Sequence, residues 1–213
     1  MKLTKYEHAC FTLEKDGKLL VVDPGGYTTD LPALENAAGV VITHHHGDHL
    51  DPNALEALFA TSPDIEIYGT EQVDEQLSDK QFKHHAVHAG DKVTVGPFNL
   101  EFFGGDHAEI HSSRPIDQNV GVMINGTVYY PGDSFANPER PVKVLALPTA
   151  APWLKISETI DYMLAIKPEL AFPTHDAVAS ELGKKLADSM LPGFAESYGG
   201  TYQRLTGPIE VDG

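Results

Sequence analysis

At 213 residues the chain is long enough for one well-cored domain and short for two, and its 41% hydrophobic and 22% charged content is that of an ordinary globular protein. A formal charge of -16, from 15 Lys and Arg against 31 Asp and Glu with no basic block, sets an adverse field against nucleic acid, whose phosphates need clustered positive charge. The single cysteine, Cys10, excludes an intrachain disulfide and thiolate metal knots, so any metal has to be held by nitrogen and oxygen.

Lys15, Asp16, Lys18 and Asp23 break up the opening, and no apolar run approaches the ~18 residues of a membrane span. We therefore expect a soluble, cytoplasmic chain forming a single domain over residues 1–213, with no membrane partner. In chain order, ACFTLEKDGKLLVVDPGG reads as two strands joined at Asp16-Gly17, because Asp-Gly suits a positive-φ hairpin turn; the second stops at Pro24, which cannot continue a ladder. GVVIT follows, a short apolar run ending in polar residues, the pattern of a strand buried on both faces. Asp51-Pro52 is an N-cap and first-turn proline pair that opens a helix, and a second helix is expected over Glu71–Leu77. FKHHAVH surrounds a short strand, while VTVGPFNLEFFGG and VGVMINGTVYYPGD read as hairpin arms, the latter turning at Asn125-Gly126. VKVLALP and ELAFPTH are again buried strands, with helices over Ser157–Ile166 and Ser180–Met190. The sum is an α/β domain of mixed sheets with outer helices.

The polar ends of these strands carry the chemistry. In THHHGDHLD, the residues His44, His46, Asp48 and His49 form H-x-H-x-D-H on the loop between GVVIT and the helix that Asp51 caps. Two positions apart on an extended segment, His44 and His46 point the same way and can reach one ion; Gly47 turns the chain, so Asp48 and His49 can face a second position. Imidazole and carboxylate suit zinc and neighbouring divalent ions. His107 after LEFFGG, Asp133 after VYYPG and His175 after LAFPT each follow a buried strand. Singly each is a turn or cap residue; with the first loop they complete a ligand set.

That order, H-x-H-x-D-H, then a His, a Gly-Asp-Ser and a late Thr-His, resembles the metallo-β-lactamase superfamily of metal-dependent hydrolases. The opening EHACFTLEKDGKLLVVDPGG is similar to its ascorbate-6-phosphate lactonase-like branch, from which HAEIHSSRP after Gly105 departs. The resemblance implies an αβ/βα four-layer sandwich, two mixed β-sheets face to face with helices outside and the metals at one edge. It implies two divalent ions, zinc first, with manganese or iron as alternatives. His44, His46 and His107 would hold one, Asp48, His49 and His175 the other, and Asp133 would bridge them. A water shared by two such cations ionises near neutral pH and attacks a carbonyl or phosphoryl centre. Asp48 is then the catalytic residue that accepts or orients its proton.

Around this set, Asp23 is the candidate acceptor behind a ligating histidine, and His8, placed in the first strand, either faces the site from its floor or is a satisfied core residue. His45 occupies a variable position and is expected to point away; His84, His85 and His88 read as a solvated face; Ser134 reads as a turn hydroxyl, and Asp176 gains nothing from the resemblance. Trp153 either walls the pocket or packs in a core, and Arg114 either binds a substrate anion or makes a surface salt bridge. His111 rivals His107, since both would share one face if HAEIH were helical. Three functions stay open: a dinuclear hydrolase of a small ester, lactone or phosphodiester; a mono-iron persulfide dioxygenase-like redox enzyme; and a metal-binding regulatory protein without turnover. A small-molecule substrate is the expected partner, no nucleic acid is, and a homo-oligomer stays open.

Overall fold

The computed structural model of the chain describes residues 1–212. In order it contains β1 (Lys2–Lys5), β2 (Phe11–Lys15), β3 (Lys18–Val22), β4 (Ala37–Ile42), α1 (Pro52–Thr61), β5 (Glu66–Gly69), α2 (Glu71–Leu77), β6 (Lys83–Ala86), β7 (Lys92–Val95), β8 (Phe98–Asp106), β9 (Gln118–Ile124), β10 (Val128–Tyr130), β11 (Val144–Pro148), α3 (Ile156–Ile166), β12 (Leu170–Thr174), α4 (Glu181–Glu196), β13 (Thr201–Tyr202) and β14 (Ile209–Glu210).

The strands form two seven-stranded mixed sheets, ordered β14-β1-β2-β3-β4-β5-β6 and β13-β12-β11-β10-β9-β8-β7. Both hairpin turns seen in the sequence form as expected: Asp16 (φ 51°) and Gly17 (φ 72°), like Asn125 (φ 51°) and Gly126 (φ 66°), take the two left-handed conformations whose twist matches the flanking strands. Three apolar clusters define the layers. Phe11, Leu13, Phe98, Phe102, Val122 and Phe172 fill the space between the sheets. Val40, Ile42, Leu55, Leu58, Val73 and Leu77 seal α1 and α2 onto the first sheet, and Met123, Leu145, Leu147, Met163 and Leu191 seal α3 and α4 onto the second. This is the expected four-layer sandwich. No helix among the described residues is long and apolar enough to cross a membrane.

The helices start where their caps direct. Asp51 accepts from Asn53 N–H at 3.0 Å with Pro52 in the first turn, and Ser180 accepts from Gly183 N–H at 3.1 Å. α4 differs from expectation by continuing past Met190 through Pro192 to Glu196. A proline there removes one backbone hydrogen bond, but Leu191 and Ala195 on either side are fully buried, and that packing carries the helix across.

Strand direction places the site. β3, β4 and β5 run parallel, as do β10, β11 and β12, and β8 is antiparallel to β9, which is antiparallel to β10. Thus β3 and β4 in one sheet and β8, β10, β11 and β12 in the other all deliver their C-terminal ends to the edge where the sheets meet.

Candidate metal centre

The loop after β4 brings His44 Nε2 to 3.1 Å from His46 Nδ1, and His107 joins them: one ligand atom from each of the three lies within 4.8 Å of the others. A second group of the same tightness contains His8, Asp48, His49 and His175, and a third His44, His49 and Asp133. Asp133 Oδ2 stands 2.9 Å from His175 Nε2, 3.4 Å from His107 Nε2 and 3.9 Å from His44 Nε2, while its Oδ1 stands 3.3 Å from His49 Nε2. All seven residues expected from the sequence therefore meet in one place. His111 does not: it is exposed, its Nδ1 paired with Ser113 Oγ at 2.7 Å. Arg114 is exposed on the same loop.

Hydrogen bonds behind the rings fix which nitrogen faces inward. His49 Nδ1 lies 2.7 Å from the Asp23 carboxylate, His107 Nδ1 2.6 Å from the Ala108 carbonyl, and His175 Nδ1 2.7 Å from the Ala150 carbonyl. An oxygen without a hydrogen can only accept, so each Nδ1 carries a proton and each Nε2 is the nitrogen turned inward, open to an ion once any proton on it is displaced. His44 follows the same rule one step removed: the Thr43 hydroxyl spends its hydrogen on Asp23 at 2.7 Å and so accepts from His44 Nδ1 at 3.1 Å. In His46 the ring is turned; Nε2 donates to Asp117 at 3.1 Å and Nδ1 faces His44. Five inward ring nitrogens thus converge on the space around Asp133.

Burial makes this convergence costly unless a cation sits there. His49 Nε2, His107 Nε2 and Asp133 Oδ1 are fully buried and have no hydrogen-bond partner among the described residues, and an orphaned buried polar atom costs ~1–3 kcal/mol. The electrostatics of the site make the same demand for positive charge. Burial depresses the charged form of His49 and His175, yet the carboxylates outweigh it, Asp133 above all: His49 is held well above its usual value and His175 is raised to about 9. Burial pushes Asp133 up and the His49 and His175 charges pull it further down, well below the carboxylate range. His44 has no such escape; burial and its neighbour His49 hold it well below the imidazole range. Nitrogen and oxygen donors of this kind suit zinc, manganese or iron.

The backbone at this edge is unusual. His8, Asp23 and His175 take φ of 51°, 44° and 59°, conformations costing ~1–3 kcal/mol that recur where structure is spent on function. His8 lies in the turn between β1 and β2, not in a strand as the sequence suggested. Gly25 allows the turn after β3 to lie on the histidine loop: a Cβ there would meet Asp48 O at 1.8 Å. Asn119 on β9 clamps the loop that carries Asp133, donating to Pro131 O at 2.8 Å and accepting from Asp133 N–H at 2.9 Å.

Other residues resolve as follows. Trp153 stands on the site: its indole N–H donates to Asp133 Oδ2 at 2.8 Å, with the ring edge-on to His107. Asp23 serves His49 and, through Thr43, His44. Ser134 is a turn hydroxyl bonding Pro131 O, and Asp176 pairs with Arg204. His84, His85 and His88 pair with Asp74, Glu66, Glu71 and Asp91 on the surface. His45 lies outside the central groups, in contact with His46 and Asp117. Asp117 escaped the sequence reading, since 71 positions separate it from His46.

Comparison with known proteins bears on family and fold. Residues 2–175 match the family model described as the β-lactamase superfamily domain. The chain is 34% identical over 185 residues to protein Rv0786c of Mycobacterium tuberculosis, covering 84% of this chain and 86% of that one. It is 23% identical over 208 residues to a UPF0173 metal-dependent hydrolase of Carboxydothermus hydrogenoformans, covering 86% and 90%. Among solved structures, a metallo hydrolase from the archaeon Ignicoccus hospitalis superposes with a TM-score of 0.71 at 21% identity, covering 99% of both chains.

Proposed function

We propose, since the chain belongs to the β-lactamase superfamily and is one of its metal-dependent hydrolases, that it works with two divalent ions, zinc foremost, to hydrolyse a small ester, lactone or phosphodiester. The observation that carries this is the convergence of five inward ring nitrogens on a buried carboxylate whose Oδ1 has no partner. In this reading His44 Nε2, His46 Nδ1 and His107 Nε2 would hold one ion and His49 Nε2, His175 Nε2 and Asp48 the other, with Asp133 available to both. Ions held there would supply Lewis acidity and a water whose pKa is lowered to about 7.

The chain's residues then do the following. Asp48, the only carboxylate of the set with appreciable exposure, at 19% of its side chain, takes or orients the proton released as water attacks the substrate. Its two hydrogen-bonded neighbours, His175 and His8, outweigh the effect of burial and keep it ionised far below the usual carboxylate range. Trp153 fixes the plane of Asp133 through Oδ2. The Asp23 and Asp117 carboxylates hold the rings of His49 and His46 and make them better donors.

The test joins metal content to turnover. Protein purified without chelator should carry close to two divalent ions per chain by elemental analysis. One member of a panel of esters, lactones, thioesters and phosphodiesters should be hydrolysed, with loss on chelation and recovery on readdition. Asp48→Asn should keep the fold while lowering turnover by about 100-fold or more, in the range of a lost general base. No tight metal after reconstitution, or oxygen consumption with a persulfide and no hydrolysis across the panel, would replace this reading.

A further inference from the structure

His8 is wired with the opposite polarity to the five histidines around it. Its ring is buried, 1% exposed, wedged between Tyr27 at 5.1 Å and His175 at 4.2 Å between centroids. Nε2 lies 3.0 Å from Asp48 Oδ2, within one tight group with His49 and His175. Distance alone would allow it to be another ligand. The far side of the ring decides otherwise: the backbone N–H of Ala177 donates to His8 Nδ1 at 3.3 Å. A nitrogen that accepts carries no proton, so in the neutral ring the proton sits on Nε2 and is aimed at Asp48. The other five rings give an outward N–H to an oxygen; His8 takes an outward N–H on Nδ1 and so must turn its own N–H inward.

The backbone enforces this. His8 occupies the left-handed region, and its carbonyl accepts from Lys5 Nζ at 2.6 Å and from His175 N–H at 3.1 Å, which ties the turn to the strand end that carries His175. Ala177, two residues further on, is thereby set behind the ring.

We propose that His8 is a positioning residue that holds Asp48 by donating its Nε2–H to Oδ2, and is not itself a metal ligand. The role follows from what Asp48 has to do. It sits on a loop past Gly47, partly exposed, and both ion binding and proton acceptance need its carboxylate in one plane. His8 supplies a fixed donor from outside that loop, 40 positions away in sequence. The inference rests on the dinuclear reading for the purpose of Asp48, but the direction of the hydrogen bond stands without it.

The experiment is nuclear magnetic resonance of isotope-labelled histidine in the metal-free protein and in protein loaded with spin-active cadmium, with chelator-competition titrations of the wild type, His8→Ala and His8→Gln. His8 should appear as the Nε2–H tautomer in both states and show no coupling to cadmium, while the inward nitrogens of His44, His46, His49, His107 and His175 do. His8→Ala should still take two ions but hold the weaker one about 10–100-fold less tightly, the range for an outer partner of a ligand. His8→Gln, whose amide keeps an N–H near the same place, should recover most of that loss. Cadmium coupling at His8, an Nδ1–H tautomer, or a fall to one ion in His8→Ala would make His8 a ligand and overturn the proposal. Unchanged ion affinity in His8→Ala would reduce it to packing and overturn it equally. Should His8→Ala fail to fold, the wild-type spectra and His8→Gln still decide. A protein that binds both ions yet hydrolyses nothing refutes the proposed function alone, and the metal-free spectrum reads the hydrogen bond even if no ion binds.

Discussion

His107 and His111 are the same residue type four positions apart, and only one reaches the site. β8 ends at Asp106, and the backbone N–H of His107 is anchored on Asp117 O at 2.8 Å, so the strand aims His107 before the chain leaves for the surface loop carrying His111. His107→Ala should therefore lower bound metal toward one ion per chain, leaving His44, His46 and Asp133 too few to resist a chelator. His111→Ala should retain two ions. Metal lost only from the His111 variant would show that the loop folds back under catalytic conditions. At this scale the sequence was informative about inward groups, because H-x-H-x-D-H and strand-ending His and Asp are visible as letters. It was poor on what stands behind them. Asp23 could be guessed from its place at a strand end; the carbonyls of Ala108 and Ala150 have no side-chain letter, and Asp117 and Asn119 become neighbours of the site only once β8 and β9 pair.

At the scale of elements, the site is a set of loops held against one another. The turn after β3 lies on the histidine loop, with Gly26 N–H on Gly47 O at 2.8 Å and Asp51 N–H on Pro24 O at 3.2 Å. Gly25→Ala would set a Cβ 1.8 Å from Asp48 O and 2.4 Å from His49 N, backbone that cannot step aside. We expect a destabilisation of about 1–3 kcal/mol or more and a loss of ion capacity, read as a lower thermal midpoint and sub-stoichiometric metal. Gly26→Ala, whose Cβ would meet Gly47 O at 3.1 Å, should be far milder. Equal effects from the two would mean that the contact at Gly25 is not what fixes the loop. The hairpins and most helices were readable because Asp-Gly, Asn-Gly, Asp-Pro and buried periodicity act locally. The edge strands β13 and β14 have two residues each, too short for a pattern, and α4 outran its expected end because tertiary burial outweighed Pro192.

For the molecule as a whole, the site links stability to pH. In metal-free protein His175 titrates at about 9 and His49 well above its usual value, so the stability they contribute is complete below the unfolded imidazole value near 6.5 and is lost as pH rises through about 9. His44, His46 and His8 are depressed, burial being the largest cause in each, so their contribution falls away on the acid side of about 6.5. Asp48 and Asp133, held below the carboxylate range, add a further loss as pH falls below about 4. The thermal midpoint of chelated protein should therefore peak near neutrality and decline toward pH 9. Ion-loaded protein should stay flat on that alkaline side, where cations replace the two protons, and fall more steeply in acid. A chelated midpoint that climbs from pH 6.5 to 9 would contradict this assignment of charge.

The two sheets differ in what they bring to their shared edge: His44, His46, Asp48 and His49 arrive from the first, and His107, Asp133 and His175 from the second. A pair of ions seated there would be a rivet through both halves of the sandwich, closing a long stretch of chain between His44 and His175 into a loop that neither sheet alone could close. Such a fastening acts as a reversible cross-link does, restricting the unfolded chain and not only decorating the folded one. The lifetime of the loaded fold would then be set by how fast its ions leave.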